Sequence, residues 1–119
     1  MPRCIFCPAS LVVVGAGFLV GCAPTQPALE PGARAYSYLG CGPCHGEHRQ
    51  GTAAAPPLLE LSERWNEQTL REYLADPHLM IERTPRLKYL AERYPIAMPP
   101  VTSATPEQLE AIVKLLLEE

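Results

Sequence analysis

The sequence predicts an all-α fold of four to five short helices, and three observations carry that expectation. After the apolar N-terminal stretch, Val and Ile occur only at Ile81, Ile96, Val101, Ile112 and Val113. No alternating run of strand formers is present. The 14 prolines separate stretches rich in helix formers, a pattern of short helices joined by fixed turns. Near the C-terminus, Leu109, Ile112, Val113, Leu116 and Leu117 recur at the spacing of one helical face.

The elements follow in order. A first helix is expected from Pro31 toward Gly40, with Pro31 at its first position, Glu30 beside the positive end, and Tyr36 and Leu39 on one face. Gly40, Gly42 and Pro43 break it, and the small, polar run from Gly46 to Ala55 reads as a loop wrapped around something. A helix over about 66–75 carries Leu70, Tyr73 and Leu74 on one face and is stopped by Asp76-Pro77. Thr84-Pro85 reads as an N-cap and first position opening a short helix with Leu87 and Leu90, ended before Pro95. Thr105 and Gln108 form a capping box around Pro106 at the start of the last helix. No internal repeat is visible.

Residues 1–21 read as a targeting segment. Arg3 supplies a thin positive region, and Leu11 to Val20 is an apolar run too short to span a bilayer comfortably. The run ends Leu19-Val20-Gly21-Cys22, which resembles the lipobox of bacterial lipoproteins at every position. That resemblance implies cleavage before Cys22 and a lipid on its thiol. An uncleaved anchor, or an ordinary signal cut slightly later, is the alternative. Residues 22–29 then form a short proline-containing tether, spanning roughly 20 Å at about 3 Å per residue, and residues 30–119 form the single domain. On this reading the chain is exported in a bacterial cell envelope and held at a membrane, facing the periplasm or the cell surface.

Composition narrows the function. Ten Lys and Arg stand against 13 Asp and Glu, and without a basic patch nucleic acid is not an expected partner. Of five cysteines, Cys4 and Cys7 leave with the signal and Cys22 takes the lipid, so only Cys41 and Cys44 remain and no structural disulfide is left over. A domain of this size without a disulfide is marginal in core, and a buried macrocycle would supply the missing apolar contact.

The chemistry concentrates at Cys41-Gly42-Pro43-Cys44-His45. Two thiols three apart suit addition to the two vinyl groups of one porphyrin, and the adjacent imidazole is then directed at the iron; this spacing is the signature of covalent haem attachment. Cys-Gly-Pro-Cys is also a thiol–disulfide redox motif, so a thiol–disulfide oxidoreductase is the rival reading. That motif opens a helix after a strand, and this chain has almost no strand-forming sequence. A zinc site would need His48 or His78 as further ligands at poorly matched spacings.

From Gly32 onward the chain resembles class I mono-haem cytochromes c of bacterial type. The resemblance rests on Gly32-x-x-x-Tyr36 before Cys41-x-x-Cys44-His45-Gly46, on Ala55-Pro56-Pro57-Leu58, on Leu70 to Pro77, and on Met98-Pro99 before the last helix. It implies one covalent haem c, His45 and Met98 as the iron's axial ligands, and the Pro56 carbonyl accepting the Nδ1 proton of His45. Such a bond fixes the tautomer and raises ligand basicity. The residues themselves add that Met98 lies in a loop bounded by Pro95, Pro99 and Pro100, whereas Met80, beside Leu79 and Ile81, reads as core packing. His78 and His48 are weaker candidates for a second histidine ligand. The implied function is a membrane-anchored carrier of single electrons between redox partner proteins, or a haem subunit of a larger respiratory complex, rather than an enzyme. Trp65, Arg83, Arg86 and Arg93 are candidates for the haem propionates, with core packing for Trp65 and a solvated face for the arginines as the plainer readings. The last helix departs from the family in carrying only aliphatics (Leu115, Leu116, Leu117) where an aromatic is often found.

Overall fold

The computed structural model describes residues 28–118. The expected signal segment, Cys22 and most of the expected tether therefore lie outside the described residues. Within them there are six α-helices, one 3-10 turn and no strand: α1 (Pro31–Tyr38), α2 (Gly42–His45), the 3-10 turn Leu61–Glu63, α3 (Glu67–Ala75), α4 (Pro77–Arg83), α5 (Pro85–Arg93) and α6 (Pro106–Leu117). The fold is all-α, as the poverty of strand formers requires.

The described residues hold six helices where about four to five are expected, for two reasons. Asp76-Pro77 does stop α3, but it also starts α4. Asp76 caps the new helix by accepting from the Leu79 amide at 2.9 Å, and Pro77 takes the first position. The second addition is α2, the single turn made by the cysteine motif itself. At α5, Thr84 occupies the cap position but its side chain makes no capping bond; its carbonyl accepts from Leu87 and Lys88 instead. The Thr105–Gln108 capping box of α6 is present in both directions, with Pro106 behind it. Asn66 and Thr69 form another at α3.

The crossing of α1 and α6 frames the domain. Ala35 and Tyr36 from α1 meet Ile112, Val113 and Leu116 from α6, and Leu70 and Leu74 of α3 complete the buried cluster. A glycine makes the close approach feasible: a Cβ on Gly32 would stand 2.7 Å from Leu115 Cβ and 2.9 Å from the Ala111 carbonyl oxygen. The aliphatic end of α6 thus receives Tyr36 without an aromatic partner of its own.

Among the described residues the buried apolar set is small, nine residues. Leu58, Leu61, Trp65, Met98 and Val101 pack against the cluster only in part. Trp65 lies beside Tyr73, ring centroids 5.1 Å apart, and beneath the Arg86 guanidinium at 5.0 Å. Packing is thus the role the contacts give Trp65.

Candidate functional site

The site begins where α1 ends. Gly40 sits at φ +72°, and around it the Cys41 amide donates to the Tyr36 carbonyl (3.1 Å) and the Gly40 amide to that of Ser37 (3.2 Å). This is the Schellman arrangement that closes a helix with a left-handed residue. It hands the chain directly into α2, whose first turn follows from the Cys41 carbonyl accepting the His45 amide at 2.9 Å. Cys41 and Cys44 are thereby placed about one helical turn apart on a single short turn, both half-buried.

A lone turn of helix cannot satisfy its own last carbonyls, and here the surrounding loop does it. The Cys44 carbonyl accepts from the Thr52 hydroxyl (2.6 Å), that of His45 from the Gly51 amide (2.8 Å), and that of Gly46 from the Tyr36 hydroxyl (2.8 Å). Three independent anchors therefore fix the turn that carries the imidazole.

His45 is buried, and its Nδ1 lies 2.8 Å from the Pro56 carbonyl oxygen. A carbonyl can only accept, so this contact requires the proton on Nδ1 and leaves the Nε2 lone pair available to a metal. Pro56 is held in place by closure of its loop: the Leu58 amide donates to the Arg49 carbonyl (2.8 Å), and the Thr52 amide to that of Ala55 (3.0 Å). Arg49 adopts φ +60°, a conformation costly for a residue with a side chain. Its guanidinium donates to the Leu115 carbonyl, 3.0 Å away. That carbonyl belongs to the last turn of α6, where a cation is favoured.

Met98 is half-buried and packs against the same cluster as Cys41. Its loop is tied down at the far end by the Val101 amide, which donates to the Leu74 carbonyl at 2.7 Å. Met80 is half-buried on α4 but is not among the residues packed on that cluster. His48 is exposed, and His78, with its side chain 85% exposed, faces Glu82 at 3.6 Å. Among the described residues, no three metal-ligating His, Cys, Asp or Glu side chains gather, so the zinc reading finds no geometry to rest on.

Sequence reasoning did not find Tyr36, Thr52 or Arg49 as supports of the motif. Each acts through a backbone carbonyl eight or more residues away, and such a pairing leaves no pattern in the sequence. Burial, reinforced by Cys41 and Glu47 against the opposing Arg49, pushes the Tyr36 hydroxyl up to about 12. Tyr36 therefore stays a neutral donor through the ordinary pH range. Because the folded value lies above the usual value of 10.0, the contribution is complete below pH 10 and is lost as pH rises toward 12. Tyr36→Phe should cost about 1 kcal/mol at neutral pH, since the Gly46 carbonyl keeps a bond from the Arg49 amide. The variant should also lose part of the stability decline between pH 10 and 12. Denaturant unfolding of both proteins across that window measures it, and parallel curves would refute it.

The donor set fits a covalently held haem. Two adjacent thiols, an imidazole with a fixed tautomer, a thioether on the same cluster, and several incompletely buried apolar side chains are what such a group needs. The thiol-redox reading fares worse. A reactive thiol needs a lowered pKa, but burial pushes the Cys41 thiol up, its backbone hydrogen bond opposing and Cys44 adding to the rise. No strand is available among the described residues for a thioredoxin-type sheet. The family model for cytochrome c matches residues 29–118. No curated protein and no solved structure gives a significant match.

Proposed function

On the premise that the chain belongs to the cytochrome c family, we propose that it is a membrane-anchored single-electron carrier whose haem iron is ligated by His45 and Met98. Members of the family bind haem c covalently and transfer electrons to and from redox partners, a carrier's role rather than that of a conventional enzyme. Haem, when bound, supplies the one-electron iron couple. The chain's own residues do the rest. Cys41 and Cys44 hold the group through thioether bonds, and His45 offers Nε2. The Pro56 carbonyl keeps the Nδ1 proton in place and raises the basicity of the ring. Met98, in its proline-bounded loop, offers a thioether that favours the reduced iron. Held by both His45 and Met98, the group would serve electron exchange rather than the binding of a substrate.

The observation that carries this reading is the 2.8 Å contact between His45 Nδ1 and the Pro56 carbonyl, at a turn whose Cys44, His45 and Gly46 carbonyls are anchored from outside. Support for the membrane anchor comes from the sequence alone, in the apolar run ending at Cys22 and the short tether behind it. They support a reading in which the protein is exported and lipid-held in the cell envelope of a bacterium. The tether is short enough to keep the domain beside a fixed membrane neighbour, which also accommodates a haem subunit of a larger complex.

Haem staining of the protein after denaturing electrophoresis is the decisive experiment. Stain should persist in the unmodified chain and vanish in Cys41→Ser/Cys44→Ser. An unstained wild-type band from a host competent for haem attachment sinks the carrier reading. Metabolic labelling with a fatty acid, lost in Cys22→Ala, tests the anchor separately.

A further inference from the structure

Charge is distributed unevenly over this domain. Residues 83–93 carry four basic side chains (Arg83, Arg86, Lys88, Arg93) and one acidic (Glu92), whereas the other described residues carry five basic and eleven acidic. A segment of net charge +3 is thus set into a body of −6. Tyr89 within this segment and Ile96 just beyond it are two of the six exposed large apolar side chains among the described residues.

The helical geometry of α5 gathers these features. Leu87 is buried, with Leu90, Ala91 and Tyr94 beside it half-buried, and this face holds the helix to the domain. Arg86, Tyr89 and Arg93 fall together on the outward side at spacings of three and four. Tyr89 is 63% exposed, as is Ile96 just beyond the helix. Arg86 is steadied by the Trp65 ring beneath it at 5.0 Å. Tyr94 and Tyr89 lie close enough to the exposed Arg93 guanidinium to raise its pKa above the ordinary value. Two arginines flanking an exposed tyrosine, one of them held over Trp65, have the composition of an interface centre, where Tyr and Arg are enriched.

We propose that the outward face of α5, centred on Arg86, Tyr89 and Arg93 and continued by Lys88 and Ile96, is the docking surface for a redox partner protein with an acidic surface. This rests on the carrier reading and names its partner. Complementarity selects the partner's charge: on a body of −6, an anionic surface is attracted only at this segment and repelled elsewhere, so the patch orients the encounter as well as strengthening it. Position gives the patch its use, because Ile96 stands two residues before Met98. An acidic protein surface is favoured over an anionic membrane because an exposed tyrosine stands between two arginines, the residue types enriched at the centres of protein interfaces.

The test uses the haem-loaded full chain and small redox reagents of opposite charge. Electron exchange with hexacyanoferrate, an anion, should be slowed by added salt despite the protein's net negative charge, and exchange with a tris(phenanthroline)cobalt trication should not. Lys88→Glu/Arg93→Glu leaves the Arg86–Trp65 contact intact. It should reduce the hexacyanoferrate rate about three- to tenfold at low ionic strength and remove its slowing by salt. Arg34→Glu/Lys114→Glu makes the same change of charge on α1 and α6 and should have little effect. Poly-L-glutamate should compete with hexacyanoferrate for the wild type and not for Lys88→Glu/Arg93→Glu. Equal effects of the two double variants, or no effect of either, would overturn the proposal. Competition by anionic phospholipid vesicles but not by poly-L-glutamate would overturn it too, by making the face a membrane contact. Each outcome is read on protein that stains for haem, so it stands apart from failure of the carrier reading itself.

Discussion

Gly32→Val should destabilise the domain by about 3 kcal/mol, the upper part of the usual range for forcing atoms into a packed contact. The residue sits in the first turn of α1, where it meets α6. Even the first added carbon would lie 2.7 Å from Leu115 Cβ and 2.9 Å from the Ala111 carbonyl oxygen, and valine adds two methyl groups beyond it. One of the two obstacles is backbone, so rearranging side chains cannot clear it. The helices must separate instead, and the contact they share holds Ala35, Tyr36, Ile112, Val113 and Leu116, most of the buried core. A domain of this size has roughly 5–15 kcal/mol to lose, and each kilocalorie is worth about 4–8 °C. Thermal unfolding followed by circular dichroism should show a fall on the order of 15 °C. Gly32→Ala should lie between, because its gain of about 1 kcal/mol in helix propensity opposes the same first clash. An unchanged melting temperature in Gly32→Val would mean that the α1–α6 approach is looser than described. Since Tyr36 also anchors the Gly46 carbonyl, the Gly32→Val protein should load haem less completely even where it folds.

How far the sequence could be read depended on the range of the interaction. Local signals were legible: the Thr105–Gln108 capping box, the Asn66–Ala75 stretch, the prolines opening α1, α5 and α6, and the absence of strands among the described residues. Asp76-Pro77 was legible as a stop but not as a start, because the same two residues serve both purposes and only the following amides reveal the second. The five motif residues named their own chemistry. Their supports did not, since the Thr52 hydroxyl on Cys44, the Tyr36 hydroxyl on Gly46 and the Arg49 guanidinium on Leu115 each end on a backbone carbonyl. Every residue has a carbonyl, so no residue type marks the acceptor. Arg49 is the extreme case, holding a strained backbone conformation to reach a carbonyl 66 positions away. Charge patterning along 83–93 was visible in the sequence as separate arginines. It became a surface only when the phase of α5 placed Arg86, Tyr89 and Arg93 on one side.

Met98→Leu should abolish the thioether–iron absorption of the haem-loaded protein while leaving the fold nearly as stable, and Met80→Leu should leave that absorption intact. Leucine is chosen because it preserves apolar volume, a swap that usually costs less than about 1.5 kcal/mol, whereas alanine would confound loss of a ligand with loss of packing. The two methionines of the domain separate on three grounds. Met98 packs against the cluster that also receives Cys41, and Met80 is not among the residues on that cluster. Met98 is confined between Pro95 and Pro99-Pro100, whose fixed φ angles reduce the freedom lost on ligation. Its loop is closed from behind by the Val101–Leu74 hydrogen bond at 2.7 Å, which links its position to the end of α3. Met80 rides on α4, whose partners are α3 and α5. Loss of a methionine ligand removes a preference for reduced iron, so the Met98→Leu midpoint potential should fall on the order of 0.1 V, within the roughly 0.8 V that axial ligation spans. Retention of the thioether band and potential in Met98→Leu, with their loss in Met80→Leu, would transfer the ligand to α4. It would also move the α5 surface from the flank of the ligand loop to the helix next to the ligand. Absence of a thioether band from the wild-type protein itself would point to an exposed histidine, and then His78→Ala, which breaks only the surface pair with Glu82, becomes the variant that must change the spectrum.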